Sequence, residues 1–75
     1  MYIYLRPIRA AGVARTEKLG EGVLADLDTK GHLLGVELLG SKAVGKLFAL
    51  ASMDERLEPI RELAPKRALL ARMIA

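Results

Sequence analysis

Three observations predict an α+β fold, a small antiparallel β-meander of about four strands followed by two or three short helices. Short β-favouring runs separated by glycine turns fill the chain up to residue 40, the apolar spacing turns helical at Ser41, and Pro59 and Pro65 interrupt the helical segment. The 75 residues make a single domain, 1–75, with residues 1–40 as its β-sheet core and residues 41–75 as its helical segment.

Tyr2-Ile3-Tyr4-Leu5 opens with β-favouring residues, and Pro7 ends the run or leaves it at a sheet edge. Ala10-Ala11-Gly12 supplies a turn into a second strand, Val13 to Leu19, in which Arg15 and Glu17 point the same way. After Gly20-Glu21-Gly22, a third strand places Val23, Ala25 and Leu27 on one face, with Asp26 and Asp28 on the other. Asp28-Thr29-Lys30-Gly31 has the chemistry of a type I turn closed by a glycine at positive φ. The fourth strand, His32 to Leu39, is apolar on nearly both faces, which suits a central strand or one covered by helices.

Ser41 is an expected N-cap for an amphipathic helix from Lys42 to Ser52, with Val44, Leu47, Phe48 and Ala51 on one side and Lys42 and Lys46 opposite. Ser52 and Glu55 read as a capping box for a second helix, with Met53, Leu57, Ile60 and Ala64 as its apolar stripe. Pro59 implies a kink or a fresh start within it. Lys66 to Ile74 reads as a last helix with Leu69, Leu70, Met73 and Ile74 together on one face.

Composition narrows the chemistry. Cysteine is absent and His32 is the lone histidine, which excludes disulfides, thiolate metal sites and a multi-histidine site within one chain. No run approaches the roughly 18 apolar residues of a membrane span, and the aromatic N-terminus lacks the pattern of a signal peptide, so a cytoplasmic location is expected, without membrane contact. Asn, Gln and Trp are absent too, a bias common to thermophile proteins and to GC-rich genomes. Hydrophobic residues make up 52% of the chain with few aromatics, more aliphatic surface than so small a body buries easily, and self-association is the expected resolution. The net charge of +3 arises entirely in the last twenty residues, where Arg56, Arg61, Lys66, Arg67 and Arg72 face only Glu58 and Glu62.

The middle of the chain resembles a bacterial family, the domain of unknown function 2283. The resemblance rests on the tyrosine-led strand Tyr2-Ile3-Tyr4-Leu5, on Thr16 with Glu21-Gly22-Val23, on the turn Asp26-Leu27-Asp28-Thr29-Lys30-Gly31, and on Gly35-Val36-Glu37-Leu38-Leu39. It covers about half of the chain, roughly residues 2 to 41. Members of the family usually begin with a further strand and an acidic turn, whereas this chain starts at the tyrosines and adds some thirty helical residues. The resemblance implies the fold and a sheet edge for a neighbouring subunit to cover; it carries no activity.

Several motifs imitate catalytic or binding sites. Asp26 to Glu37 nearly fits an EF-hand loop, but Lys30 stands where an oxygen ligand belongs and strands flank it. Gly40 to Leu47 nearly fits a phosphate-binding loop, but Leu47 replaces the hydroxyl that would hold magnesium and Ser41 would wind the loop into helix. His32 has no evident nucleophile or base partner, Ser41 and Ser52 are better explained as caps, and Glu21, Asp26, Asp28 and Glu37 read as solvated sheet carboxylates. No catalytic residue, metal or cofactor is expected.

The leading functional expectation is a non-enzymatic, homo-oligomeric interaction module, with a further protein partner as one role. Val44, Leu47, Phe48, Leu57, Ile60, Leu69, Leu70 and Met73 form its core or oligomer face. A nucleic-acid-linked regulator, antitoxin-like, with Arg61, Lys66, Arg67 and Arg72 as polyanion contacts, is the alternative. It lacks any tail aromatic for base stacking. A small hydrolase or metal enzyme ranks last.

Overall fold

The computed structural model describes residues 1–6 and 12–74. Strands β1 (Tyr2–Tyr4), β2 (Arg15–Gly20), β3 (Val23–Leu27) and β4 (Leu33–Leu38) form one antiparallel sheet. Three α-helices follow, α1 (Lys42–Ala51), α2 (Glu58–Arg61) and α3 (Arg67–Ile74), with 3-10 turns at Glu55–Leu57 and Ala64–Lys66. This is the expected α+β architecture.

The sheet order is β1-β4-β3-β2, so only β2, β3 and β4 run as a meander, and β1 lies beside β4 rather than β2. The expected Ala10-Ala11 turn and Pro7 fall outside the described residues. Apolar content on both faces explains the order: β4 gains a neighbour on each side, while the polar strand β2 takes an edge. Gly31, at φ +82, closes the β3–β4 turn as expected, with its N–H donating to the Asp28 carbonyl at 3.1 Å.

The core is a two-layer sandwich of sheet and helix. Val23, Ala25, Leu27, Val36 and Leu38 pack against Ala43, Val44, Leu47 and Ala51 of α1, with Leu57 and Ile60 beyond them. Each fully buried leucine among these contributes roughly 1.5–3 kcal/mol of apolar transfer.

Several local expectations need correction. Ser41 stands at the start of α1 with helical dihedrals and no side-chain cap bond. The Ser52 hydroxyl donates to the Ala49 carbonyl at 2.6 Å, which ties down the C-terminal end of α1 and leaves no Ser52 capping box. Asp54 caps the next segment instead: it accepts from the Arg56 N–H at 3.0 Å and from the Arg56 guanidinium at 2.8 Å. That guanidinium holds the Asp54 carboxyl below its ordinary range. Pro59 sits in the first turn of α2 and so marks a fresh start. Within the expected stripe Leu57 and Ile60 are buried, but Met53 and Ala64 are exposed, because the chain turns between α1 and α2.

Candidate functional site

Strand alternation sends every second side chain of the sheet away from the helices. On that outer face the pairings align Tyr2, Glu37, Leu24 and Lys18 in one row and Tyr4, Gly35, Asp26 and Thr16 in the next. None of the helices packs there, since their buried residues belong to the cluster on the inner face.

One hydrogen-bonded network spans three strands of this face. The Tyr2 hydroxyl donates to Asp26 Oδ2 at 2.9 Å, and the Thr16 hydroxyl donates to Asp26 Oδ1 at 2.6 Å. Tyr2 reaches β3 by lying flat over Gly35: a Cβ on that glycine would stand 2.3–2.4 Å from the Tyr2 ring and hydroxyl. The ring of Tyr4 meets that of Tyr2 edge-on, 4.7 Å between centroids and 62° between planes. Among the described residues no cation forms an ion pair with Asp26, whereas Glu37 lies 3.8 Å from the chain's amino terminus and Lys18 3.4 Å from Glu21.

Desolvation, and then the hydrogen bond to Asp26, push the Tyr2 phenol up from 10.0 to about 12. The neutral phenol is therefore the form that folding favours. The stability it contributes is complete below pH 10 and is lost as the pH rises through about 12. In a Tyr4→Phe variant Tyr2 is the sole tyrosine, and its ultraviolet tyrosinate signal is expected to appear with a midpoint near pH 12. Adding Asp26→Asn should bring that midpoint down; an unmoved midpoint would mean that the hydrogen bond has no part in the shift.

A family model described as a protein of unknown function (DUF2283) matches residues 1–42. The chain belongs to this family. The DUF2283 match takes in all four strands and ends at the first residue of α1, so Tyr2, Thr16, Asp26, Gly35 and Glu37 all fall inside it and α2 and α3 lie beyond it. No curated protein and no solved structure matches the chain.

The motifs resembling metal and nucleotide sites are absorbed by local structure. Asp28 Oδ1 accepts from the Lys30 and His32 N–H groups, each at 2.9 Å, which lowers its pKa and commits that oxygen to its own turn. No group of three potential metal ligands forms among the described residues. The near-match to a phosphate loop is helical from Lys42 onward. The exposed His32 ring lies 3.2 Å from Asp28 and borders an open cleft of about 310 Å³, shared with Leu5, Arg6, Glu55, Arg56 and Pro59.

On the helical side, Val44, Leu47, Leu57 and Ile60 are buried core, and Phe48 and Leu70 are half-buried against it. The expected single face of α3 is divided: Leu70 and Ile74 turn toward the core, while Leu69 and Met73 are 49% and 64% exposed. The four cations part as well. Arg61 donates to the Ala51 carbonyl at the end of α1, and the Arg67 guanidinium lies 5.2 Å from the Phe48 ring centroid. Lys66 and Arg72 form no ion pair among the described residues. The Tyr2–Asp26–Thr16 network was missed by sequence reasoning, although all three residues lie within the motifs that carried the family resemblance.

Proposed function

We propose that this member of the DUF2283 family is a non-enzymatic interaction module that works as a homo-oligomer. The observation that carries the reading is the placement of exposed apolar side chains on both layers. Tyr4 and Leu39, 70% and 60% exposed, belong to the sheet side, and Leu69 and Met73 to α3. Among the described residues no helix covers the outer sheet face, and association is the usual way to cover such a surface. The face is favoured over the sheet edges, because β1 has only three residues and β2 carries Arg15, Glu17 and Lys18.

The alternative of a basic tail for nucleic acid is weakened by the internal work of Arg61 and Arg67. Size-exclusion chromatography with light scattering, recorded at two ultraviolet wavelengths, separates the readings. The expected result is a particle heavier than one chain with the weak absorbance of a protein that has two tyrosines and no tryptophan. A monomer at all accessible concentrations overturns the proposal, and a nucleotide-like spectrum that high salt removes replaces it with the regulator.

A further inference from the structure

We infer that copies of this chain associate head to tail, with the exposed side of α3 from one copy seated on the outer sheet face of the next. The inference rests on the homo-oligomer reading and specifies its contact. Three features select a second copy as the occupant.

The first is charge. Asp26 is a half-buried carboxylate held by two neutral hydroxyls, with no cation paired to it among the described residues. On α3, Leu69, Arg72 and Met73 stand at i, i+3 and i+4 and so line one side of the helix, and Lys66 precedes Leu69 by one turn. Arg72 and Lys66 are exposed, without an acid paired to them among the described residues. The sheet face also carries Lys18, but that cation is already paired with Glu21, which leaves Asp26 as the carboxylate open to the cations of α3. An arginine on a carboxylate already oriented by two hydrogen bonds is a strong form of such contact.

The second is apolar chemistry. Tyr4 stands next to Asp26 across Gly35, and Leu24 lies in the adjacent row. Leu69 and Met73 flank Arg72, and a thioether against a tyrosine ring is favourable. The third is fit. The eight-residue α3 is about 12 Å long, and the four-stranded sheet is about 14 Å wide at ordinary strand spacing. Because the two surfaces lie on opposite layers of the domain, one chain cannot join its own pair. The contact is heterologous, and it closes into a ring or continues as a filament.

Two variants test this arrangement. Tyr4→Lys places a cation on the sheet face, and Arg72→Glu with Met73→Glu reverses and polarises α3; all three positions are exposed. Each variant alone is expected to run as a monomer with an unchanged far-ultraviolet dichroism spectrum. An equal mixture should double in mass to a dimer, formed by the intact α3 of the first and the intact sheet face of the second. The chain's lack of cysteine permits a second measurement that perturbs folding less. Tyr4→Cys and Met73→Cys, mixed under oxidation, should give a disulfide-linked dimer, while neither alone should do so.

If the wild type assembles but the mixture stays monomeric and the mixed cysteines do not link, the head-to-tail contact is wrong and the oligomer reading survives. Dimers from Tyr4→Cys alone would establish a two-fold sheet contact in its place. A monomeric wild type overturns both.

Discussion

Leu47→Ala is expected to lower stability by about 2–5 kcal/mol, the range for removing a buried leucine side chain from a core that cannot fully collapse. Leu47 is fully buried between α1 and the inner sheet face, in one cluster with Val23, Ala25, Val36, Leu57 and Ile60. A domain of this length has a total stability on the order of 4–11 kcal/mol, so the loss is a large fraction of the whole. Equilibrium denaturation at fixed protein concentration measures the effect, since assembly would otherwise shift the midpoint by mass action. A midpoint indistinguishable from wild type would mean that α1 is not clamped to the sheet as described.

Gly35→Ala is expected to destabilise by about 1–3 kcal/mol, the usual cost of forcing extra volume into a filled site. The glycine leaves room for the Tyr2 ring, which would lie only 2.3–2.4 Å from the new Cβ. The ring can relieve the clash by swinging outward, but it then loses Asp26 and its cover over β4. A double-mutant cycle identifies this cause. In a Tyr2→Ala background the same substitution should cost little or become favourable, because alanine suits a strand better than glycine once the ring is gone. An equal cost in both backgrounds would place the strain in the backbone of β4 and refute the ring-over-glycine account. In the Tyr4→Phe background the Tyr2 titration reports on the same contact, and Gly35→Ala should shift it downward.

Elements governed by neighbouring residues were legible in the sequence. The Asp28–Gly31 turn, the alternation of Val23, Ala25 and Leu27, and the helix at Lys42 all arise from local patterning. The segment after Ala51 was less legible. There Ser52 and Asp54 compete for the cap, and the winner depends on how the chain leaves α1 for Leu57 and Ile60 to reach the core. The division of Leu69 and Leu70 between surface and core was likewise invisible, because adjacent residues of a short helix differ in burial only once its packing angle is set.

The family resemblance, too, was legible from Tyr2, Thr16, Asp26 and Gly35 as letters at given spacings, but their relation to one another was not. Thr16 and Asp26 lie ten residues apart, and Tyr2 and Asp26 lie 24 apart.

By itself the sequence determined the fold class, the antiparallel strands, the helical segment and the absence of cysteine chemistry, because these depend on composition and on periods of a few residues. Tertiary structure alone decided that β1 lies beside β4, and so that Tyr2 crosses Gly35 to reach Asp26. It also decided which of the four expected polyanion contacts are engaged within the chain, Arg61 on the end of α1 and Arg67 over Phe48. The physical reason is that sheet order and side-chain pairing across strands are set by long-range closure of one shared core, for which no short-range pattern in the chain is a sufficient cause.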